Sequence, residues 1–223
     1  MFNNPFPAPL NKIPEKESKT YVYVDGFNLY YGALYKSPNK WLDLHKMCQL
    51  LLPSHNIAKI KYFTANVSAR PYDTDQPIRQ QIYHRALRTI PNLEIILGSF
   101  LTKQIMAPLA LPIDGKRFAK IIRTDEKGSD VNLAVHLLHD AYQKHYDTAV
   151  IISNDSDLAE AIRIVKNELG IKVGILNPHK YSSTTLRSVA SFQKRIRSGV
   201  VRLSQFSDTL TDTNGTFQKP SSW

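Results

Sequence analysis

Residues 148–153, TAVIIS, form a short apolar run without alternation. A strand of this composition suits a sheet covered on both faces. The chain then changes character. DSDLAEAIRIVKNELG (155–170) carries apolar residues at helical spacing and stops at Gly170, and IKVGILN (171–177) is again strand-like. The same alternation runs through the rest of the chain. TYVYVD (20–25), IAKIKYFTA (57–65) and LEIILGSFL (93–101) read as strands. FNLYYGALYK opens a helix, and helices follow at 42–51, 74–90 and 129–144. In 74–90, Ile78, Ile82 and Leu87 are expected inward and the arginines outward. Strands alternating with helices predict an α/β fold with a mostly parallel central sheet. Residues 102–123, with Pro108, Pro112 and DGKR, predict a hairpin-like excursion.

Domain organisation follows from composition. The chain has 223 residues, 42% of them hydrophobic, which suits one domain with a substantial core. Residues 1–19 are rich in Pro, Asn and charge and read as a flexible arm; 20–203 form the domain; 204–223, rich in Ser, Thr and Asp, read as a flexible tail. The lone cysteine, Cys48, excludes an intramolecular disulfide and a cysteine zinc site, and its apolar helical setting makes it a core filler. With no apolar leader or membrane-length run, the expectation is a cytoplasmic protein without a membrane partner.

The carboxylates point to chemistry. Parallel α/β sheets bind ligands at the carboxyl ends of their strands. Asp25 ends the first strand, and Asp155 and Asp157 follow TAVIIS. Asp130 shares a helix face with Leu133, Ala134, Leu137 and Ala141, so it faces inward in the first turn. Capping accounts well for Asp155, less well for Asp130, and for Asp25 only if DGFN is an Asx-turn. Carboxylates gathered at one sheet edge repel one another unless protonated or bound to a cation. Oxygen ligands of this kind suit Mg²⁺ or Mn²⁺.

A net charge of +10, from 29 Lys and Arg against 19 Asp and Glu, favours a polyanionic partner. Residues 169–207 hold seven Lys or Arg and no acid, and Arg187, Lys194, Arg195, Arg197 and Arg202 are candidates for a phosphate track. Arg79, Arg85 and Arg88 add a second basic face; Tyr181 and Phe192 are candidate stacking residues. For each of these, a solvated surface is the alternative.

YVDGFNLYYG, EKGSDVNLAVHLL and AVIISNDSDLAEAI, in this order, resemble the signature blocks of the NYN domain family, spanning about 20–177. The resemblance implies a PIN-like three-layer α/β/α fold and metal-dependent ribonuclease activity. By motif, it implies Asp25, Asp130, Asp155 and Asp157 as catalytic metal ligands for Mg²⁺ or Mn²⁺. Asn28, Ser153, Asn154, Glu126 and Lys127 would position the carboxylates or the phosphate. Two positions depart from the family pattern: Asn154 stands where many relatives have glycine, and His136 where many have a small, polar or acidic residue. The implied substrate is RNA, with DNA possible, and a homodimer is possible. The alternative on the same fold is a catalytically silent RNA-binding or protein-interaction module.

Three other phosphate chemistries fit less well. His139-Asp140 resembles the pair of HD phosphohydrolases, but those are all-α. Phe27 breaks the D-x-D of haloacid-dehalogenase-like phosphatases, and no glycine-rich nucleotide loop occurs.

Overall fold

The computed structural model describes residues 18–223. The arm expected at 1–19 therefore lies almost wholly outside the described residues, and Lys19 already belongs to the first strand.

Six strands form one all-parallel sheet. In chain order they are β1 (Lys19–Asp25), β2 (Asn56–Thr64), β3 (Leu93–Leu97), β6 (Thr148–Ile152), β7 (Lys172–Asn177) and β8 (Phe192–Arg195). Their spatial order is β3-β2-β1-β6-β7-β8. Chain direction across the sheet thus reverses between β1 and β6, and a crevice opens at such a switch point. Asp25 ends β1 opposite Phe63 of β2; on the other side, Val24 pairs with Ile152, the last residue of β6.

The strands alternate between two apolar layers. Val22, Val24, Val150 and Ile152 pack with Leu44, Met47 and Cys48 of α2 (Leu44–Leu51), and with Tyr83, Ala86 and Leu87 of α3 (Gln76–Leu87). Tyr23, Ala149 and Ile151 pack on the opposite face with Leu133 and Leu137 of α4 (Ser129–Tyr142), and with Ile162 of α5 (Ala159–Arg163). Each fully buried aliphatic side chain here contributes about 1.5–3 kcal/mol. This is the expected three-layer α/β/α arrangement. Cys48 is wholly buried, its thiol pushed up to about 12 by burial, as a core filler would be.

Several elements differ from the sequence expectations. The helix expected over 155–170 is a 3₁₀ turn (Ser156–Leu158), then α5, then a π-helical stretch (Ile164–Glu168). Similarly, α1 (Gly26–Leu29) continues as a π-helical turn, Tyr30–Leu34. In α3 the inward stripe is Tyr83, Ala86 and Leu87, while Ile78 is 60% exposed. The Tyr83 hydroxyl donates to the Leu42 carbonyl at 2.9 Å and sets that rotation. Two short helices not expected from the sequence, α6 (Thr184–Val189) and α7 (Ser198–Leu203), flank β8.

The strand expected over 93–101 is two strands parted at Gly98. Leu93–Leu97 stays in the main sheet; β4 (Ser99–Ile113) leaves it and pairs antiparallel with β5 (Lys116–Lys127). A side chain at Gly98 would come within 2.7 Å of the Lys127 carbonyl, so only glycine lets the two hairpin strands meet at this crossing. The excursion is thus a long ribbon that turns at Asp114-Gly115 and carries exposed Met106, Leu111, Phe118 and Ile122.

The C-terminal stretch is a further correction. Residues 204–223, expected as a flexible tail, carry a hairpin, β9 (Thr209–Asp212) and β10 (Gly215–Gln218). Phe217 is buried beside Trp41, and Trp223 packs on Trp41 and Tyr83. The Trp41 indole N–H donates to the Ser207 carbonyl, and Arg85 grips the Asp212 carboxylate through two nitrogens. The polar composition covers a few aromatic anchors, and these dock the segment. Among the described residues, no helix is long and apolar enough to cross a membrane.

Candidate active site

The crevice at the switch point is a cavity of about 760 Å³. Asp25, Asn28, Glu126, Asp130 and Asp155 all line it. They come from three separate stretches of chain, brought together by the order of β1 and β6 and by α4 packed across them.

Asp25 is 5% exposed. It caps α1, its Oδ1 accepting from the Asn28 backbone N–H at 2.9 Å; its Oδ2 accepts from the Ser153 hydroxyl at 2.9 Å. Ser153 in turn accepts from the Asp155 backbone N–H at 3.1 Å. Asp155 caps the 3₁₀ turn by accepting from the Asp157 N–H at 3.0 Å. Capping and site-forming are thus carried by the same side chains. Gly26 is needed here too, since a Cβ would lie 2.7 Å from the Phe63 carbonyl.

A second set of bonds ties in the loop after β7. The Asn28 side-chain oxygen accepts from the Asn154 N–H at 2.9 Å and lies 3.0 Å from His179 Nε2. Asn154 donates to the Tyr181 carbonyl and accepts from the Ser183 N–H. The departure at Asn154 therefore has a structural use: its amide latches residues 181–183 beside the site. The Asn28 side chain thus braces the Asn154 backbone and the His179 ring, while its backbone N–H is the group that holds the Asp25 carboxylate.

The electrostatics are those of crowded acids. Asp130 is pushed up to about 6, first by burial and then by Asp25, Asp155, Glu126 and Asp157. Burial also raises Asp25, with Asp155 and Glu126 adding; the bonds from Asn28 and Ser153 pull the other way. Glu126 accepts from the Ser129 N–H at 3.1 Å at the start of α4.

Among the described residues, no group of three or more His, Cys, Asp or Glu is arranged to hold a metal ion outright. The donor set is nonetheless all carboxylate oxygen, with mutual repulsion that a cation would relieve. Mg²⁺ binds through one or two carboxylates while keeping several waters, so Asp25, Asp130, Asp155 and Glu126 are the residues that could hold one here.

Other expected site residues stand apart. Asp157 is exposed and outside the cavity, though near enough to raise Asp130. Lys127 is exposed and outside it as well. Arg79 lines the cavity, but two contacts of 2.6 Å join it to Asp73, so the face expected to lack an acid is neutralised from the preceding loop. Arg187, Lys194, Arg195 and Arg197 are exposed and lie outside the cavity, and Lys194 donates to the Leu51 carbonyl.

The cavity also contains residues that the sequence reading passed over: His179, Tyr30, Tyr31, Tyr35, Lys40, Arg70, Phe100 and Trp223. His179 had a usable signal, standing two residues beyond the strand end at Asn177. The tyrosines were visible in LYYGALY but served there only as helix formers.

An all-parallel sheet covered on both faces, with acids gathered at its switch point, places the chain among three-layer α/β proteins with a ligand crevice at the strands' carboxyl ends. The chain belongs to the NYN domain family, whose signature matches residues 19–195. It is 28% identical to the 6-hydroxy-3-succinoylpyridine 3-monooxygenase HspA of Pseudomonas putida (strain DSM 28022 / S16), a match covering 95% of this chain and 77% of that protein. Among solved structures, a protein of unknown function from Vibrio parahaemolyticus RIMD 2210633 superposes with a TM-score of 0.56 at 19% identity. That match covers 82% of this chain and 95% of the other and shows the shared fold.

Proposed function

We propose that the protein is a metal-dependent ribonuclease that hydrolyses phosphodiester bonds of single-stranded RNA. The observation that carries this reading is the gathering of Asp25, Glu126, Asp130 and Asp155 in one cavity, crowded enough that burial and the neighbouring acids push Asp130 up. Asp25, Asp155 and Glu126 each receive a backbone N–H that serves the fold, but the repulsion they place on Asp130 is a cost that a bound cation would relieve. A bound Mg²⁺ or Mn²⁺ would supply an activated water and neutralise charge on the phosphodiester. The chain's own contribution is positioning. Ser153 and the Asn28 N–H hold Asp25 in one orientation, and the 3₁₀ turn holds Asp155. Asn28 and Asn154 hold the loop carrying His179 against the crevice. The net charge of +10 favours the polyanion.

The test is degradation of labelled single-stranded RNA with Mg²⁺ or Mn²⁺, with EDTA as control. Asp155→Asn should abolish cleavage without unfolding the chain, because asparagine caps a helix about as well as aspartate. Undiminished cleavage by that variant would overturn the assignment. RNA binding with no cleavage by the parent protein under any metal would identify a silent binding module.

The monooxygenase relative supports a second reading, favoured by the aromatic lining of the cavity: Phe27, Tyr30, Tyr31, Tyr35, Tyr62 and Phe100. On this reading the ligand is a small planar aromatic acid. Calorimetry with 6-hydroxy-3-succinoylpyridine against a short RNA oligonucleotide separates the two.

A further inference from the structure

Tyr30, Tyr31 and Tyr35 form a mutually packed set on the π-helical turn after α1, with ring centroids 5.2, 5.8 and 5.6 Å apart. The turn creates the set. The Tyr35 N–H bonds the Tyr30 carbonyl five residues back at 2.8 Å, which brings the two rings onto one side. Single π-helical turns of this kind concentrate at functional sites. All three rings line the cavity that holds the carboxylates, and they follow Asp25 in the chain by five to ten residues. Tyr31 is 56% exposed and Tyr35 51%, so the core does not use their outer faces.

A cation accompanies them. Arg70 lines the same cavity, and its guanidinium donates to the Tyr72 hydroxyl at 2.8 Å. Arg70 has no acidic partner among the described residues, whereas neighbouring Arg79 is committed to Asp73. The wall therefore offers aromatic faces and, in Arg70, a cation with free donors.

We infer that this wall is a base-stacking subsite for single-stranded nucleic acid, in which Tyr31 and Tyr35 take the base beside the scissile phosphodiester and Arg70 takes a flanking phosphate. The assignment rests on the nucleolytic reading, because the carboxylates define where the scissile bond lies. Stacking of this kind tolerates any base, since every base presents a π-face. The subsite thus selects an unpaired strand rather than a sequence.

The experiment measures fluorescence anisotropy of labelled hexanucleotide RNA on the full chain carrying Asp155→Asn in Mg²⁺ buffer, so that cleavage does not interfere. Adding Tyr31→Ala and Tyr35→Ala should weaken binding about tenfold or more. Tyr31→Trp, which keeps a stacking face, should retain affinity. A series of hexanucleotides, each abasic at one position, should include one that binds the parent as weakly as the intact RNA binds the double alanine variant, and that loses nothing further on the variant. Arg70→Gln should weaken intact and abasic RNA equally and reduce the salt slope by about one. Equal affinity of the parent for intact RNA and every abasic form overturns the inference. So does full affinity in a double variant that melts like the parent; if the double variant fails to fold, Tyr31→Trp and the abasic series decide alone. Base-dependent binding with no metal-dependent cleavage by the unmutated protein would leave the subsite standing and remove the ribonuclease reading. The converse would remove only the subsite.

Discussion

The hydroxyl of Ser153 donates to Oδ2 of Asp25 across 2.9 Å, joining the strand ends on either side of the switch point. Ser153 has no exposed surface and Asp25 is 5% exposed, so no bulk water replaces this bond when it is removed. Ser153→Ala should therefore destabilise the protein by about 1.5–3 kcal/mol, the usual worth of a hydrogen bond to a charged group. It should also lower any metal-dependent activity by leaving Asp25 less firmly held. Urea denaturation at neutral pH measures the first effect, and an unchanged midpoint would count against it.

Asp130→Asn should stabilise the metal-free protein. Folding raises the Asp130 pKa from 3.8 to about 6, so the folded state holds the proton more tightly than the unfolded chain. The sign follows: stability from this group is present below about pH 4 and declines as pH rises through 6. Asp130 is only partly buried, and solvent screening reduces the effect to about 1 kcal/mol, or roughly 2–4 °C in melting temperature. The gain should be seen at pH 7.5 in EDTA and vanish at pH 4. A loss of stability at pH 7.5 would show that Asp130 serves the fold.

His84 should make the protein acid-labile in a different window. It is 1% exposed, and neither ring nitrogen has a hydrogen-bond partner among the described residues. Burial, with Arg88 adding, lowers its pKa from 6.5 to about 4. A histidine kept neutral by folding contributes stability that is present above pH 6.5 and lost as pH falls toward 4. The loss should amount to on the order of 2–3 kcal/mol. In His84→Leu that component should disappear, so urea midpoints at pH 5 and pH 7.5 should lie closer together than in the parent.

Removal of residues 209–223 should cost far more than removal of a tail. The segment supplies Phe217 and Trp223 to the cluster around Trp41, and Asp212 to Arg85. Losing two buried or half-buried aromatic contacts should cost about 3–5 kcal/mol and lower the melting temperature by roughly 10 °C. Trp41 emission should shift to the red as its ring meets water. An unaltered melt would place the hairpin outside the cooperative unit.

Much of this molecule was legible before any contact was known. Strand and helix type, the parallel sheet and the delivery of Asp25 and Asp155 to strand ends all follow from local features: apolar period, capping residues, and an aspartate where a strand hands over to a helix. The inward face of Asp130 follows from helical spacing to Leu133 and Leu137. Each of these depends on residues within about a dozen positions of one another, so the chain carries its own evidence for them.

Other features depend on which distant segments meet. The strand order places the switch point between β1 and β6, and nothing near Asp25 encodes that neighbour 128 residues away. The break at Gly98 is dictated by the Lys127 carbonyl, and the pairing of Arg79 and Arg85 by acids outside their helix. The approach of His179 to Asn28 spans 151 residues. The C-terminal hairpin looked like a tail because its composition is polar, but a few aromatic side chains suffice to dock it once Trp41 and Tyr83 present a surface. Local sequence determined which elements form and which residues their ends expose. Only tertiary packing decided which ends share a cavity, because the burial that selects strand order and docking is a property of surfaces assembled from the whole chain.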